Sequence, residues 1–302
     1  MSDEERKRAS AARVEARIAA IRPAWPAELG LGPPATSFLG RLSDHLAPAF
    51  PALPGDAALD LAVFCALYVQ LVLDQDALLD GQCAPDQVGP TAMRMLALQT
   101  ECDVLLRGLL PPGSPFWGQL HRYVADHAHT YAIERSFREG RQPLSALSED
   151  VALRLAGDKV GLARIVVSAM AALTGAADVV EPLTEAIACV GEAKGMRDDL
   201  RDWREDLRNR QPSLVLARAL GEWPTEPDVA RVGRAIHLGG HSRYVLALAV
   251  ESLDEADRLL TGFPPMSWFA CTAQLRRASL AELIELDRAL GDRPAPGLRT
   301  AP

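Results

Sequence analysis

The sequence predicts an all-α protein folded as one helical domain, on three observations. Apolar residues recur at three- and four-residue spacing through almost every long segment, the period of a helix with one buried face. Period-two runs rich in Val, Ile and Thr, which would mark strands, are nearly absent. Proline and glycine gather between the periodic segments, where they close one helix and open the next.

Nine or ten helices follow in order. Segment 3–22 comes first, and 36–48 lies between Pro33-Pro34 and Pro51. The span 56–80 begins after the turn Pro51 to Gly55 and stays mostly apolar until an acidic end. Pro85 to Pro90 opens 90–109, Pro111-Pro112-Gly113 opens 115–139, and Pro143 precedes 147–175. The longest mixed segment, 178–209, again ends acidic; Pro212 introduces 212–220, Pro224 to Pro227 introduces 227–260, and Pro264-Pro265 introduces 266–290. Gly239-Gly240 marks a kink or break inside 227–260. No repeat or low-complexity linker divides the chain, and Met1 to Arg8 and Asp292 to Pro302 are expected to fray.

Composition narrows the function. Of 302 residues, 48% are apolar and 24% charged, enough for a sizeable core and too apolar for disorder. A net charge of -8, with no basic block, argues against nucleic acid as a partner. Cys65, Cys83, Cys102, Cys189 and Cys271 are odd in number and widely spaced, which predicts reduced thiols in a cytoplasmic protein. The apolar stretch Leu61 to Leu73 falls short of the roughly 20 residues that span a bilayer, so no membrane span is expected. The six histidines form no zinc pattern.

The chemistry lies in two acidic runs near helix C-termini, where carboxylates oppose the macrodipole and weaken the helix unless a cation neutralises them. In the first, Asp74-Gln75-Asp76-Ala77-Leu78-Leu79-Asp80, the carboxylates of Asp76 and Asp80 are four apart and share a face. In the second, Asp198, Asp202 and Asp206 form an i, i+4, i+8 stripe, interleaved with Arg197, Arg201, Arg204 and Arg208. Magnesium suits such runs, because it prefers carboxylate oxygen and commonly bridges one or two protein carboxylates to substrate phosphates. Solvated helix faces with ion pairs are the plainer reading of both runs.

With these residues the chain resembles the class I isoprenoid synthases, the all-α family of trans-prenyl diphosphate synthases and terpene cyclases. Asp76-Ala77-Leu78-Leu79-Asp80 is similar to the family's D-D-x-x-D motif with alanine at the second position, and Asp198-Asp199-Leu200-Arg201-Asp202 is an intact D-D-x-x-D. Asp198, Asp202 and Asp206 also match the cyclase triad in acidic form. Gly157-Asp158-Lys159-Val160-Gly161-Leu162 is similar to the segment whose lysine contacts the substrate diphosphate. The resemblance covers roughly residues 56–260. It implies a single-domain terpenoid synthase bundle around a central cavity, with the two acidic helices opposed, magnesium as cofactor in three ions with bound diphosphate, a prenyl diphosphate substrate and a homodimer.

The resemblance also departs from the family. The Gly-Gly-Lys-Arg segment and the Arg-Arg-Gly that hold a second diphosphate in chain-elongating members are absent; Phe38 to Asp44 and Gly81 to Asp86 stand there instead. A second diphosphate would lack its charge-assisted partners, so the leading expectation is a terpene synthase, a lyase acting on a C20 chain first and C15 next. A trans-prenyl diphosphate synthase is the alternative, and Ala77 keeps a third reading open, a non-catalytic partner subunit. The expected catalytic set is Asp76, Asp80, Asp198 and Lys159, with Asp76, Asp80, Asp198, Asp202 and Asp206 on metal. Lys159, Arg197, Arg243 and Tyr244 are expected on diphosphate, and Phe64, Tyr68, Val72, Trp117, Tyr131 and Trp203 around the cavity, where aromatic faces would stabilise passing carbocations.

Overall fold

A computed structural model describes residues 3–29, 42–79 and 81–290. Among them are twelve α-helices and no strand: α1 (Asp3–Ile21), α2 (Leu42–Leu46), α3 (Gly55–Leu79), α4 (Val88–Leu109), α5 (Phe116–Arg138), α6 (Glu149–Asp158), α7 (Gly161–Thr174), α8 (Val180–Asn209), α9 (Leu214–Leu220), α10 (Val229–Leu238), α11 (His241–Leu259) and α12 (Ser267–Leu290). The helical period thus reads through to the fold class. One expected helix is two: 147–175 breaks at Lys159-Val160, between the glycines Gly157 and Gly161. The break expected in 227–260 falls at Gly239-Gly240, where Gly240 has φ 77°, a left-handed conformation that favours glycine.

Local chemistry sets several ends. Ser148 caps α6 by accepting from the Val151 amide at 3.3 Å, with Glu149 and Asp150 in the first turn on the favourable side of the dipole. Asp228 caps α10 in the same way through the Arg231 amide at 3.0 Å. Pro90 and Pro182 lie inside the first turns of α4 and α8, where a missing N–H costs nothing.

The described chain falls into two compact units. The first takes Met1–Leu120, Leu162–Val180 and Pro264–Trp268. Its centre is α3, whose run from Leu61 to Leu67 is buried and which packs along α4, with α1 and α2 against it. By length and composition α3 is also apolar enough to cross a membrane, which the shorter stretch read from the sequence is not. Within the unit, 56% of its most apolar window is buried by protein, as befits a core helix.

The second unit takes His121–Gly161, Glu181–Phe263 and Phe269–Pro302. Its core joins Phe137 of α5, Leu155 of α6, Met196, Trp203 and Leu207 of α8, Leu214 to Ala217 of α9, Val232 and Ile236 of α10, and Val245, Ala249 and Leu253 of α11. Removing the Val, Leu, Ile, Phe and Met side chains among these from water stabilises the fold by about 1.5–3 kcal/mol each.

Candidate active site

In the second unit, small residues on α8 let the end of α6 come close. A methyl group at Gly191 would lie 2.8 Å from Val160 Cγ1, and one at Gly195 would lie 2.9 Å from Ala156 Cβ. Gly157 in turn faces Ala188 and Glu192. This backbone approach brings the α6–α7 turn, and with it Lys159, against α8. The Lys159 ammonium pairs with Glu134 Oε1 of α5 at 2.6 Å.

The carboxylates of α8 divide by register. Burial pushes Asp199 up to about 7, with Lys159 drawing it down in part and Glu134 and Asp198 adding to the rise. Asp206 is pushed up to about 8, first by burial and then by the charges of Asp199 and Asp202, again with Lys159 opposing. Asp199, Asp202 and Asp206 are thus an electrostatically joined set at i, i+3, i+7, which is one helix face. Asp198 of the expected stripe is joined to the set through Asp199, whose rise it adds to, and Asp202 is exposed. Sequence reasoning left Asp199 and Glu134 out of the site. The i, i+3, i+7 spacing was a signal for Asp199; nothing in the sequence marks Glu134.

The result is a half-buried excess of negative charge beside one lysine. Its donors are all carboxylate oxygens, the chemistry magnesium prefers. Among the described residues no three acidic, histidine or cysteine groups are gathered as a ready metal cage. Magnesium seldom needs one, since it takes one or two carboxylates and fills its other positions with water and substrate phosphate. The residues present therefore fit a metal that arrives with an anionic substrate.

In the first unit, Asp76 is exposed near the end of α3, while Asp80 lies outside the described residues. The amides of Gln82 and Cys83 both donate to the Ala77 carbonyl, at 2.9 and 3.2 Å, and so close the end of the helix. The neighbouring Asp74 is buried in an ion pair with Arg94.

Several expected residues have other tasks here. Arg197 is only 5% exposed and donates from Nη2 to Glu282 Oε1 of α12 at 2.5 Å, so it ties α8 to α12 instead of standing open to diphosphate. Tyr244 donates its hydroxyl to Glu149 and carries the Arg218 guanidinium 3.6 Å over its ring, and it joins α11 to α6 and α9. Arg243 beside it is half-buried. Trp203 packs in the core with its ring under the Cα of Gly233, where a methyl group would approach to 3.2 Å. Trp117 spends its N–H on the Pro111 carbonyl at 2.9 Å, with Arg107 over its ring. Trp203 is thus held in the core, and Trp117 at the corner that leads into α5. Phe64 and Tyr68 stack at 5.4 Å, and burial pushes the Tyr68 phenol up to about 12. Val72 and Tyr131 are half-buried.

No family model matches the chain, and no curated protein matches it. Solved structures do. A polyprenyl synthase from Caulobacter crescentus CB15, complexed with calcium and isoprenyl diphosphate, superposes with a TM-score of 0.67 at 20% identity, over 92% of this chain and 95% of that one. A polyprenyl synthase from Roseobacter denitrificans gives 0.65 at 16% identity, over 93% and 100%. A geranylgeranyl pyrophosphate synthase from Corynebacterium glutamicum gives 0.62 at 16% identity, over 91% and 93%. The chain has the isoprenoid synthase fold. Coverage this complete on both sides means that the fold is present nearly end to end, and Asp76, Lys159 and the α8 carboxylates are side chains carried on that fold.

Proposed function

We propose that the protein is a class I isoprenoid synthase that ionises a prenyl diphosphate with the help of magnesium, in a single-domain cytoplasmic enzyme. The observation that carries this reading is the joined set Asp199, Asp202 and Asp206 beside Lys159 on an isoprenoid synthase fold. On α8, Asp198, Asp199, Asp202 and Asp206 are the proposed metal ligands; Asp76 and Asp80 are the proposed ligands of the other acidic segment, with three ions when diphosphate is bound. Magnesium supplies charge neutralisation for the departing diphosphate. Lys159 adds a fixed positive charge to the same anion. Arg243 is a further diphosphate contact, and Phe64, Tyr68, Val72 and Tyr131 are the remaining candidates for shielding a reactive carbocation from water.

Two finer readings follow, each from its own observation. The absence of both basic segments for a second diphosphate favours a terpene synthase, with C20 ahead of C15. The solved neighbours, two polyprenyl synthases and a geranylgeranyl pyrophosphate synthase, favour prenyl transfer onto a second substrate. Exposed Met93, Leu96 and Val104 along α4 support a homodimer under either reading. One experiment separates them: purified protein with magnesium is offered C10, C15 and C20 prenyl diphosphates, with and without isopentenyl diphosphate. Diphosphate release and the extracted products are followed by mass spectrometry. Release without isopentenyl diphosphate, yielding a hydrocarbon or terpene alcohol, establishes the terpene synthase; release only with it establishes elongation. No release from any chain refutes the enzyme reading and leaves the partner-subunit reading motivated by Ala77.

A further inference from the structure

We infer that Glu134 is a positioning residue for Lys159, holding the lysine ammonium where it can meet an anionic ligand instead of letting it collapse onto the carboxylates of α8. The inference rests on the function proposed above. Its basis is the character of the 2.6 Å ion pair between Lys159 Nζ and Glu134 Oε1. Lys159 is the C-cap residue of α6, in the turn leading to α7, and its four-carbon stem is flexible. The lysine side chain is 51% exposed but Glu134 only 14%, so the pair is anchored from the glutamate side. The neighbouring pair on α5, Arg135 with Glu139, has both ends well exposed and is the ordinary solvated kind.

The surroundings give the anchor a purpose. Lys159 acts electrostatically on both Asp199 and Asp206. An ammonium released from Glu134 would be drawn toward these α8 carboxylates, whose charges it already feels, and would compete there with the metal. A positioned lysine keeps those oxygens available and presents its charge beside them. Glu134 thereby acts through Lys159 and touches neither metal nor substrate.

The test is calorimetric titration of the full chain with magnesium and inorganic diphosphate, for wild type, Glu134→Ala, Glu134→Gln, Lys159→Ala and the double variant Glu134→Ala/Lys159→Ala. Glu134→Ala is expected to weaken binding about 10-fold, as loss of an outer positioning partner does. Glu134→Gln, which keeps a hydrogen-bond acceptor but loses the charge, is expected to fall between, and it carries the test if the alanine variant does not fold. In the Lys159→Ala background, Glu134→Ala should weaken binding no further, because Glu134 acts through the lysine. Unchanged affinity in both Glu134 variants, or an equal loss with and without the lysine, overturns the positioning role alone. Wild-type protein that binds no magnesium–diphosphate overturns this role together with the function it rests on.

Discussion

Arg94 grips Asp74 with two nitrogens, Nε 2.6 Å from Oδ2 and Nη2 2.8 Å from Oδ1, while Gln70 donates to the same Oδ1 at 2.9 Å. Asp74 is 5% exposed, so its charge is compensated by protein and not by water. Removing one partner of such a pair strands the other. Arg94→Met is expected to cost about 3–5 kcal/mol of stability, and adding Asp74→Leu should recover most of that loss. Urea unfolding of the three proteins checks it; an Arg94→Met cost below about 1 kcal/mol would mean the pair behaves as a surface one.

Asp199 and Asp206 give the protein a pH dependence of definite sign. Both bind protons more tightly folded than unfolded, since they rise from 3.8 to about 7 and about 8. Their stabilising contribution is therefore complete below about pH 4, declines as pH rises from about 4 to about 8, and is lost above that. Asp206→Asn should flatten part of this decline in a series of thermal melts. Magnesium–diphosphate binding should run the other way and tighten between about pH 6 and about pH 8.5, because metal ligation needs ionised carboxylates.

Asp76→Ala separates function from folding. Its side chain is exposed near the end of α3, so the melting temperature should hardly change. Turnover of a prenyl diphosphate should fall by about 100-fold or more if the residue stabilises charge in the reaction. Wild-type turnover in this variant would remove the first acidic segment from the site.

Gly191→Ala and Gly195→Ala test the approach of α6 to α8. Each methyl group meets a rigid neighbour, Val160 Cγ1 at 2.8 Å or Ala156 Cβ at 2.9 Å. Each should cost about 1–3 kcal/mol and weaken magnesium–diphosphate binding by displacing the Lys159 turn. Gly118→Ala, in a helix with nothing within 4 Å, is the control and should be neutral or slightly stabilising.

The sequence made the helices legible because their signal is local: a repeat of three and four, with proline and glycine at the joints. It hid the break at Lys159-Val160 because apolar spacing continues across it and no proline stands there. It exposed the acidic run on α8 but not how strongly burial and Lys159 act on Asp199 and Asp206, which depends on where the helix meets its neighbours. Arg197 and Tyr244 read as anion contacts in sequence because their partners, Glu282 and Glu149, are 85 and 95 residues away. Glu134 was invisible for the same reason, being one glutamate among many until the fold sets it on the lysine.

The burial of α3 bears on how the chain is made. A helix this apolar, newly emerged from a ribosome, competes with its own protein for lipid and for other nascent chains. Asp60 and Asp74, each well away from the middle of α3, still make it a poorer membrane segment than its apolar run alone. Arg94 follows on the next helix and supplies the counter-charge as soon as α4 docks. In the folded protein the acidic interruption of this apolar helix is thus matched from the helix that follows it in the chain, and the charge that sets α3 apart from a lipid-facing segment becomes part of the core.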